Sequence, residues 1–215
     1  MSHENVEVVR QPITTGARSR RLSDDLDSWL KGETDKTLDS LIEVFGRRSF
    51  AILFVLLLAV PALPLPTGGL THVLEAIAML VALQLIANRD EIWLPQRWRA
   101  LPVAGEKQQR FVAGLMNTVR RLERISRPRL SFLFGHRLSN IVFGALVIAG
   151  SLGAFLAPPF TGLDTLPALG VVLLSLGVLL EDIALVGAGI VVGVAGIALE
   201  ILLGKAAIKG LGKLL

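Results

Sequence analysis

Apolar positions fill two long stretches of this chain, and polar positions gather outside them. Lys and Arg are absent between Arg48 and Arg89, and again between Arg137 and Lys205. Leu, Val, Ala, Ile and Gly occupy both gaps. Each gap is interrupted once by prolines: Pro61-Ala62-Leu63-Pro64-Leu65-Pro66-Thr67-Gly68 in the first, Pro158-Pro159-Phe160-Thr161-Gly162 in the second. Proline removes a backbone donor and forbids a regular helix interior. The pattern therefore predicts apolar helices at Ser49 to Val60, Leu70 to Ala87, Asn140 to Ala157 and Leu166 to Leu180, paired as two proline-broken hairpins. A last apolar helix is expected from Ile183 to Leu203.

The flanking segments have helical periodicity of a different kind. Leu22, Leu26, Trp29 and Leu30 share one face of a short helix, with Ser23 as the expected N-cap and Asp24, Asp25 and Asp27 in its first turn. Leu38, Leu41, Ile42 and Phe45 form a second amphipathic stripe that ends at Gly46. From Glu106 to Ile125, Phe111, Val112, Leu115, Val119, Leu122 and Ile125 share one arc, and Arg110, Arg120, Arg121 and Arg124 the opposite one. Such a helix reads as an interfacial helix on the cytoplasmic leaflet, the alternative being an ordinary surface helix packed on the protein's own core. The segment Phe134-Gly135-His136-Arg137 echoes Phe45-Gly46-Arg47-Arg48, and Glu181-Asp182 parallels Asp90-Glu91.

The expected organisation is thus a polar tail (1–36), a first broken hairpin (37–92) and a basic linker with the interfacial helix (93–133). A second broken hairpin (134–182) and a C-terminal membrane helix with a basic tail (183–215) complete it. The fold class read from this is an all-α membrane protein, a helical bundle with two repeated hairpins of the same orientation. Composition agrees: 52% of the 215 residues are hydrophobic and the mean hydropathy is +0.61, above the range of ordinary soluble domains. A bilayer core of roughly 30 Å takes about 20 apolar residues per helical pass. Apolar turns between the paired helices favour tips buried in the bundle, since irregular backbone at membrane depth needs protein or water around it.

Charge adds orientation. The net charge is +4, but the excess is concentrated in the linker, where Arg residues far outnumber Asp90, Glu91, Glu106 and Glu123. The positive-inside rule places residues 88–138 in the cytoplasm, and the polar N-terminal tail is expected there too. Trp93 and Trp98 suit the headgroup belt. Anionic lipid headgroups, rather than nucleic acid, are the expected partners of the basic linker. Gly189 and Gly193 form a GxxxG pair that permits close helix packing, within the chain or in a homodimer. The first 48 residues carry 8 Lys/Arg and 9 Asp/Glu without an apolar run, unlike a secretory signal. The three-Lys tail (Lys205, Lys209, Lys213) also suits the cytoplasm, which conflicts with an odd number of crossings.

Few side chains in the apolar stretches carry chemistry: His72, Glu75, Asp164 and Glu200. An ionisable group inside a membrane span is costly and is a site candidate by default. His72 and Glu75 share a helical face just after the first turn, and Asp164 holds the matching place after the second. Thr67, Gly68, Thr161 and Gly162 would add hydrogen-bonding groups if the two turns meet. Thr67, Thr71 and Asp164 are equally good N-cap residues, and Glu200, close to the expected helix end, reads as interfacial. No HExxH, phosphate-loop or GxSxG motif is present, and the chain has no cysteine. No catalytic, cofactor or metal site is therefore expected.

The order Thr37-Leu38-Asp39-Ser40-Leu41-Ile42-Glu43-Val44-Phe45-Gly46-Arg47-Arg48-Ser49-Phe50, then the Pro61–Gly68 turn, then Leu83 to Trp93 and Leu94-Pro95, resembles the ExoD family of bacterial exopolysaccharide synthesis proteins. The likeness covers about residues 35 to 200. It implies an inner-membrane protein linked to exopolysaccharide production and supplies no catalytic residues. Two roles fit: transport of a small polar or anionic solute, or a non-transporting structural or assembly partner of a polysaccharide synthesis complex.

Overall fold

The computed structural model describes residues 22–32, 37–46, 48–63, 70–89, 92–93, 95, 109–126, 137–158 and 161–211. Among these residues there are eight helices and no strand: α1 (Leu22–Lys31), α2 (Leu38–Phe45), α3 (Arg48–Leu58), α4 (Leu70–Ile86), α5 (Gln109–Ile125), α6 (Arg137–Leu156), α7 (Thr165–Leu179) and α8 (Ile183–Leu211). The all-helical class read from the pattern is the observed one. Several bounds differ. Helix α1 begins at Leu22, so Ser23 lies inside its first turn and is not the cap. Helix α6 starts three residues before Asn140, at Arg137, because nothing in Leu138-Ser139 opposes helical geometry. Helix α8 continues through Gly204 to Leu211, since the lysines that follow are good helix formers and no proline stops it.

Local chemistry explains the shorter elements. Thr37 caps α2 by accepting from the Ser40 amide, and Gly46 closes it at φ +52 with its amide on the Ile42 carbonyl. A side chain at Gly46 would strain that left-handed backbone. The chain then turns into α3, which is almost wholly buried. Past Leu58, backbone hydrogen bonds from Ala59, Ala62 and Leu63 carry the chain through the buried Pro61 as turns rather than helix.

Helix packing makes a bundle of α3, α4, α6 and α7. Helices α3 and α4 pack as one hairpin and α6 and α7 as another. Helix α3 lies on α7 and α4 on α6, so each hairpin offers its first helix to the other's second. Helices α4 and α7 end in the same way. Ala87, Asn88 and Arg89 donate to Leu83, Leu85 and Gln84, while Leu180, Glu181 and Asp182 donate to Leu176, Val178 and Gly177. Asn88 and Glu181 both stand at φ 54. This is the Schellman ending, here twice without glycine. It aligns Asn88 with Glu181 and Arg89 with Asp182.

Helix α8 packs along α7 through glycines. Added Cβ atoms at Gly170, Gly177, Gly189 and Gly196 would each meet the facing helix within 2.6 Å. One step along α7 is matched by one step back along α8, an antiparallel register that pairs Gly177 with Val186, Gly170 with Gly193 and Pro167 with Gly196. The Gly189/Gly193 pair is therefore used inside the chain. In this register Lys205 lies past the turn end of the bundle, at the opposite end from Arg137.

The end of the bundle at Arg137 is covered by α1, α2 and α5. Trp29 is buried, meets Phe45 edge-on at 6.4 Å and donates from Nε1 to Ser40 Oγ at 3.3 Å. Val119 of α5 is buried in the core and Leu122 packs against it. Arg120 pairs with Asp27 of α1. This stretch of α5 packs on the protein's own core, which was the alternative to the interfacial placement read from the pattern. Arg121 and Arg124 remain exposed. The rest of the expected amphipathic segment, residues 106–108, lies outside the described residues.

Two helices are long and apolar enough to cross a membrane, α6 (Arg137–Leu156) and Ile183–Ala206 of α8. Helices α3, α4 and α7 are apolar but shorter, about 16–25 Å by their rise.

Candidate functional site at the turn end of the bundle

Helix α4 starts immediately after the first proline turn, so its first turns lie at the bundle's turn end. Thr71, His72 and Glu75 occupy those turns. The His72 ring contacts Phe155, near the end of α6, with centroids 5.4 Å apart. At the other end of the same interface an added Cβ at Gly144 would meet Ile86 and Ala82. These contacts set α4 and α6 antiparallel and bring the ends of both hairpins together. By the same register Ser151 of α6 stands at the level of Glu75.

Glu75 has no exposed surface, and neither of its oxygens has a hydrogen-bond partner. The His72 ring lies beside it, with Nδ1 4.0 Å from Oε2, too far for a hydrogen bond. His72 also lies 3.3 Å from Thr71 Oγ1 through that same nitrogen. Asp164 and Glu200 are the carboxylates close enough to act electrostatically on Glu75, and Asp164 acts likewise on Glu200. The α7/α8 register explains the second pairing. Continued past Pro167 and Gly196, it brings Asp164 level with Glu200.

Asp164 does not cap α7. Its backbone is αR, at φ −60 and ψ −23, and its side chain makes no cap hydrogen bond. The capping role open to it from sequence is not the one it adopts. Thr161 turns its hydroxyl to its own loop, donating to the Pro158 carbonyl at 2.7 Å and accepting from the Leu163 amide at 3.4 Å. Thr161 and Gly162 are exposed, Gly162 at φ +69. Of the residues singled out from sequence, His72, Glu75 and Asp164 come together, while Thr161 and Gly162 form the adjacent exposed turn. Thr67 and Gly68 lie outside the described residues.

Glu200 lies farther from its helix end than the sequence suggests. It was expected at the interface near a helix end, but α8 continues eleven residues beyond it. Its Oε1 is buried and unpartnered, as is Thr165 Oγ1 at the start of α7. The available signal was its isolation, as the one charged residue between Asp182 and Lys205. Ser151, fully buried with an unpartnered hydroxyl, gave no sequence signal.

The arrangement gathers acceptor oxygens with little to satisfy them. Among the described residues no group of three or more His, Asp or Glu is close enough to hold a metal ion. A separate groove between α6, α7 and α8, lined by Leu146, Gly150, Val171 and Val194 among others, is apolar and offers no polar recognition.

The family model for "Exopolysaccharide synthesis, ExoD" matches residues 22–202. The chain belongs to the ExoD family. It is 33% identical over 184 residues to Protein ExoD of Rhizobium meliloti, covering 82% of this chain and 75% of that protein. It is 32% identical over 177 residues to an uncharacterised protein of Synechocystis sp., covering 81% of this chain and 82% of that one. No solved structure matches the chain at a significant level. The family match takes in α1 through most of α8, so His72, Glu75, Asp164 and Glu200 all fall within the ExoD region.

Proposed function

We propose that this ExoD-family chain is an integral membrane protein that supports exopolysaccharide synthesis by carrying a small polar solute through the turn end of its bundle. The observation that carries the membrane reading is the surface of α8. Only 11% of its apolar window is buried in the protein. Val191, Val194, Ile201 and Leu202 are more than half exposed. A core helix of a soluble protein would be largely covered, and an apolar face of this length in water is an association hazard. Leu80 and Leu83 of α4 and Leu138 and Val142 of α6 extend the apolar surface around the bundle.

The reciprocal packing of the hairpins, with the twin Schellman endings, supports an internal repeat related by a pseudo-two-fold axis. Solute sites in repeat-built carriers lie where the repeats meet, and Glu75 and Asp164 belong one to each hairpin. Three carboxylates favour a neutral or cationic solute over an anion. Arg48, Arg89, Arg121, Arg124 and Arg137 gather at the opposite end, which suits anionic headgroups and the cytoplasmic side. A homodimer would need a face other than Gly189/Gly193.

Orientation can be tested because the chain contains no cysteine. Thr161→Cys and Arg124→Cys should react with a membrane-impermeant maleimide from opposite sides of the membrane. Labelling of both from one side, or release of the protein by alkaline washing, contradicts a spanning bundle.

The carrier role is tested by polysaccharide yield. Glu75→Gln and Asp164→Asn are expected to lower it several-fold at unchanged protein level, because each removes an ionisable carboxyl from the site while keeping its shape. Full yield in both variants rules the carrier role out. If instead removing Arg121 and Arg124 lowers the yield, the exposed basic face carries the function and the protein is an assembly partner.

A further inference from the structure

We propose that Glu75, faced by Asp164 and Glu200, is a proton-binding site at the turn end of the bundle, taking up and releasing a proton at its carboxyl oxygens. This rests on the carrier reading above and names what that site exchanges.

Each element packed near Glu75 brings few ionisable groups to face it. On its own helix the one titratable neighbour is His72, at 4.0 Å. From the start of α7 comes Asp164 and from α8 Glu200, both acidic. Helix α6 contributes Ser151 and Phe155 at this level, and its one charged residue, Arg137, is at the far end. Helix α3 carries charge only at Arg48, which lies beside Glu181 at 3.8 Å, also at the far end. Lys205 is exposed further along α8. No arginine or lysine among the described residues therefore answers the acidic cluster.

An acidic cluster alone would not mark a site. The second observation is that Glu75 is fully buried with both oxygens unpartnered. Buried polar groups in folded proteins are nearly always hydrogen-bonded, and a buried charge is paired or neutralised. Ser151, equally buried and unpartnered, stands at the same level. The acceptors are too dispersed to chelate a metal ion. A proton needs no such cage and neutralises a single carboxylate where it stands. His72 is about one-quarter exposed and lies 4.0 Å from Glu75, which gives a proton a route from the surface.

A hydrophobic carbodiimide reports this chemistry directly. The carboxyl proton moves to a carbodiimide nitrogen and the carboxyl oxygen adds to the central carbon. The acylisourea formed then rearranges to a stable acylurea, with nothing released. Membranes containing the full-length chain are treated with dicyclohexylcarbodiimide over a range of pH, and the peptide bearing Glu75 is followed by mass spectrometry. The adduct is expected on Glu75, with loss of labelling as pH rises, and no adduct in Glu75→Gln. Glu200→Gln and Asp164→Asn should move the pH at which labelling disappears, an effect that a merely structural role would not produce.

No adduct at any pH in protein that elutes as a single folded species overturns the proposal. So does labelling that ignores both pH and the two neighbouring substitutions. The two readings fail separately. Lost polysaccharide in Glu75→Gln without an adduct in the wild type sinks the proton site and leaves the carrier. A pH-dependent adduct with full polysaccharide yield in Glu75→Gln sinks the carrier and leaves the proton site.

Discussion

Gly170→Val is expected to abolish accumulation of the folded protein. A Cβ at Gly170 would stand 2.5 Å from the Gly193 α-carbon, 2.6 Å from its nitrogen and 2.9 Å from the Gly189 carbonyl oxygen. All three are backbone atoms of α8, so no side chain can rotate away and the helix itself must move. The same interface closes at Gly189, where a Cβ would meet Leu174 N at 2.5 Å, and at Gly196 against Pro167. Overpacking in cores typically costs about 1–3 kcal/mol and sometimes more. Here the displacement would run along an interface of several turns, so the cost should exceed that range and approach the protein's net stability. Helix association in lipid depends on such close contact because apolar transfer contributes little between helices. Gly187→Ala and Gly204→Ala provide the comparison. Nothing lies within 4 Å of a Cβ at either position, and alanine should add about 0.5–1 kcal/mol of helix stability. Yield and thermal stability of detergent-solubilised protein separate the cases. A Gly170→Val protein as abundant and stable as Gly187→Ala would refute the packing.

Phe54→Ala should be the most damaging truncation in the core. Phe54 has no exposed surface, and its ring meets Phe143 edge-on with centroids 5.7 Å apart at 79°. The contact links the first helices of the two hairpins. In soluble cores Phe→Ala costs about 3–5 kcal/mol. In lipid the unfolded reference is also apolar, so part of the transfer term disappears while the cavity and the lost dispersion contacts remain. We expect about 2–4 kcal/mol. Leu83, 54% exposed on α4, should tolerate alanine at well under half that cost. Unfolding of the two variants in mixed micelles measures the difference, and equal losses would show that the hairpins do not depend on this contact.

The helices were legible in the sequence to within a few residues because their signals are local. Prolines at 61, 64, 66, 158 and 159 interrupt helical geometry wherever they fall, and the stripe of Leu38, Leu41, Ile42 and Phe45 needs no knowledge of its partner. Errors arose where an end depends on what lies beyond it. The lysines after Gly204 read as a tail but continue α8, and Asp164 has the composition of a cap but not its backbone angles. The basic face of α5 was visible, whereas its use of Val119 and Arg120 against the core and Asp27 was not, since the same amphipathic pattern fits lipid and protein alike.

His72, Glu75 and Asp164 could be chosen from sequence because an ionisable residue amid apolar ones is conspicuous by its cost. Glu200 could not be placed with them. Its level is set by the glycine-to-backbone register of α7 on α8, which is a property of two surfaces in contact.

The sequence by itself determined the all-helical class, the two proline breaks, the distribution of charge and the family. These follow from local backbone sterics, solvent preference and residue order. Only the tertiary structure decided that α3 lies on α7 and α4 on α6, that Gly189 and Gly193 serve the chain's own packing, and that Glu75, Asp164 and Glu200, distant in the chain, lie at one end of the bundle. Those outcomes depend on shape complementarity between helices distant in the chain, and no single segment encodes the surface it will meet.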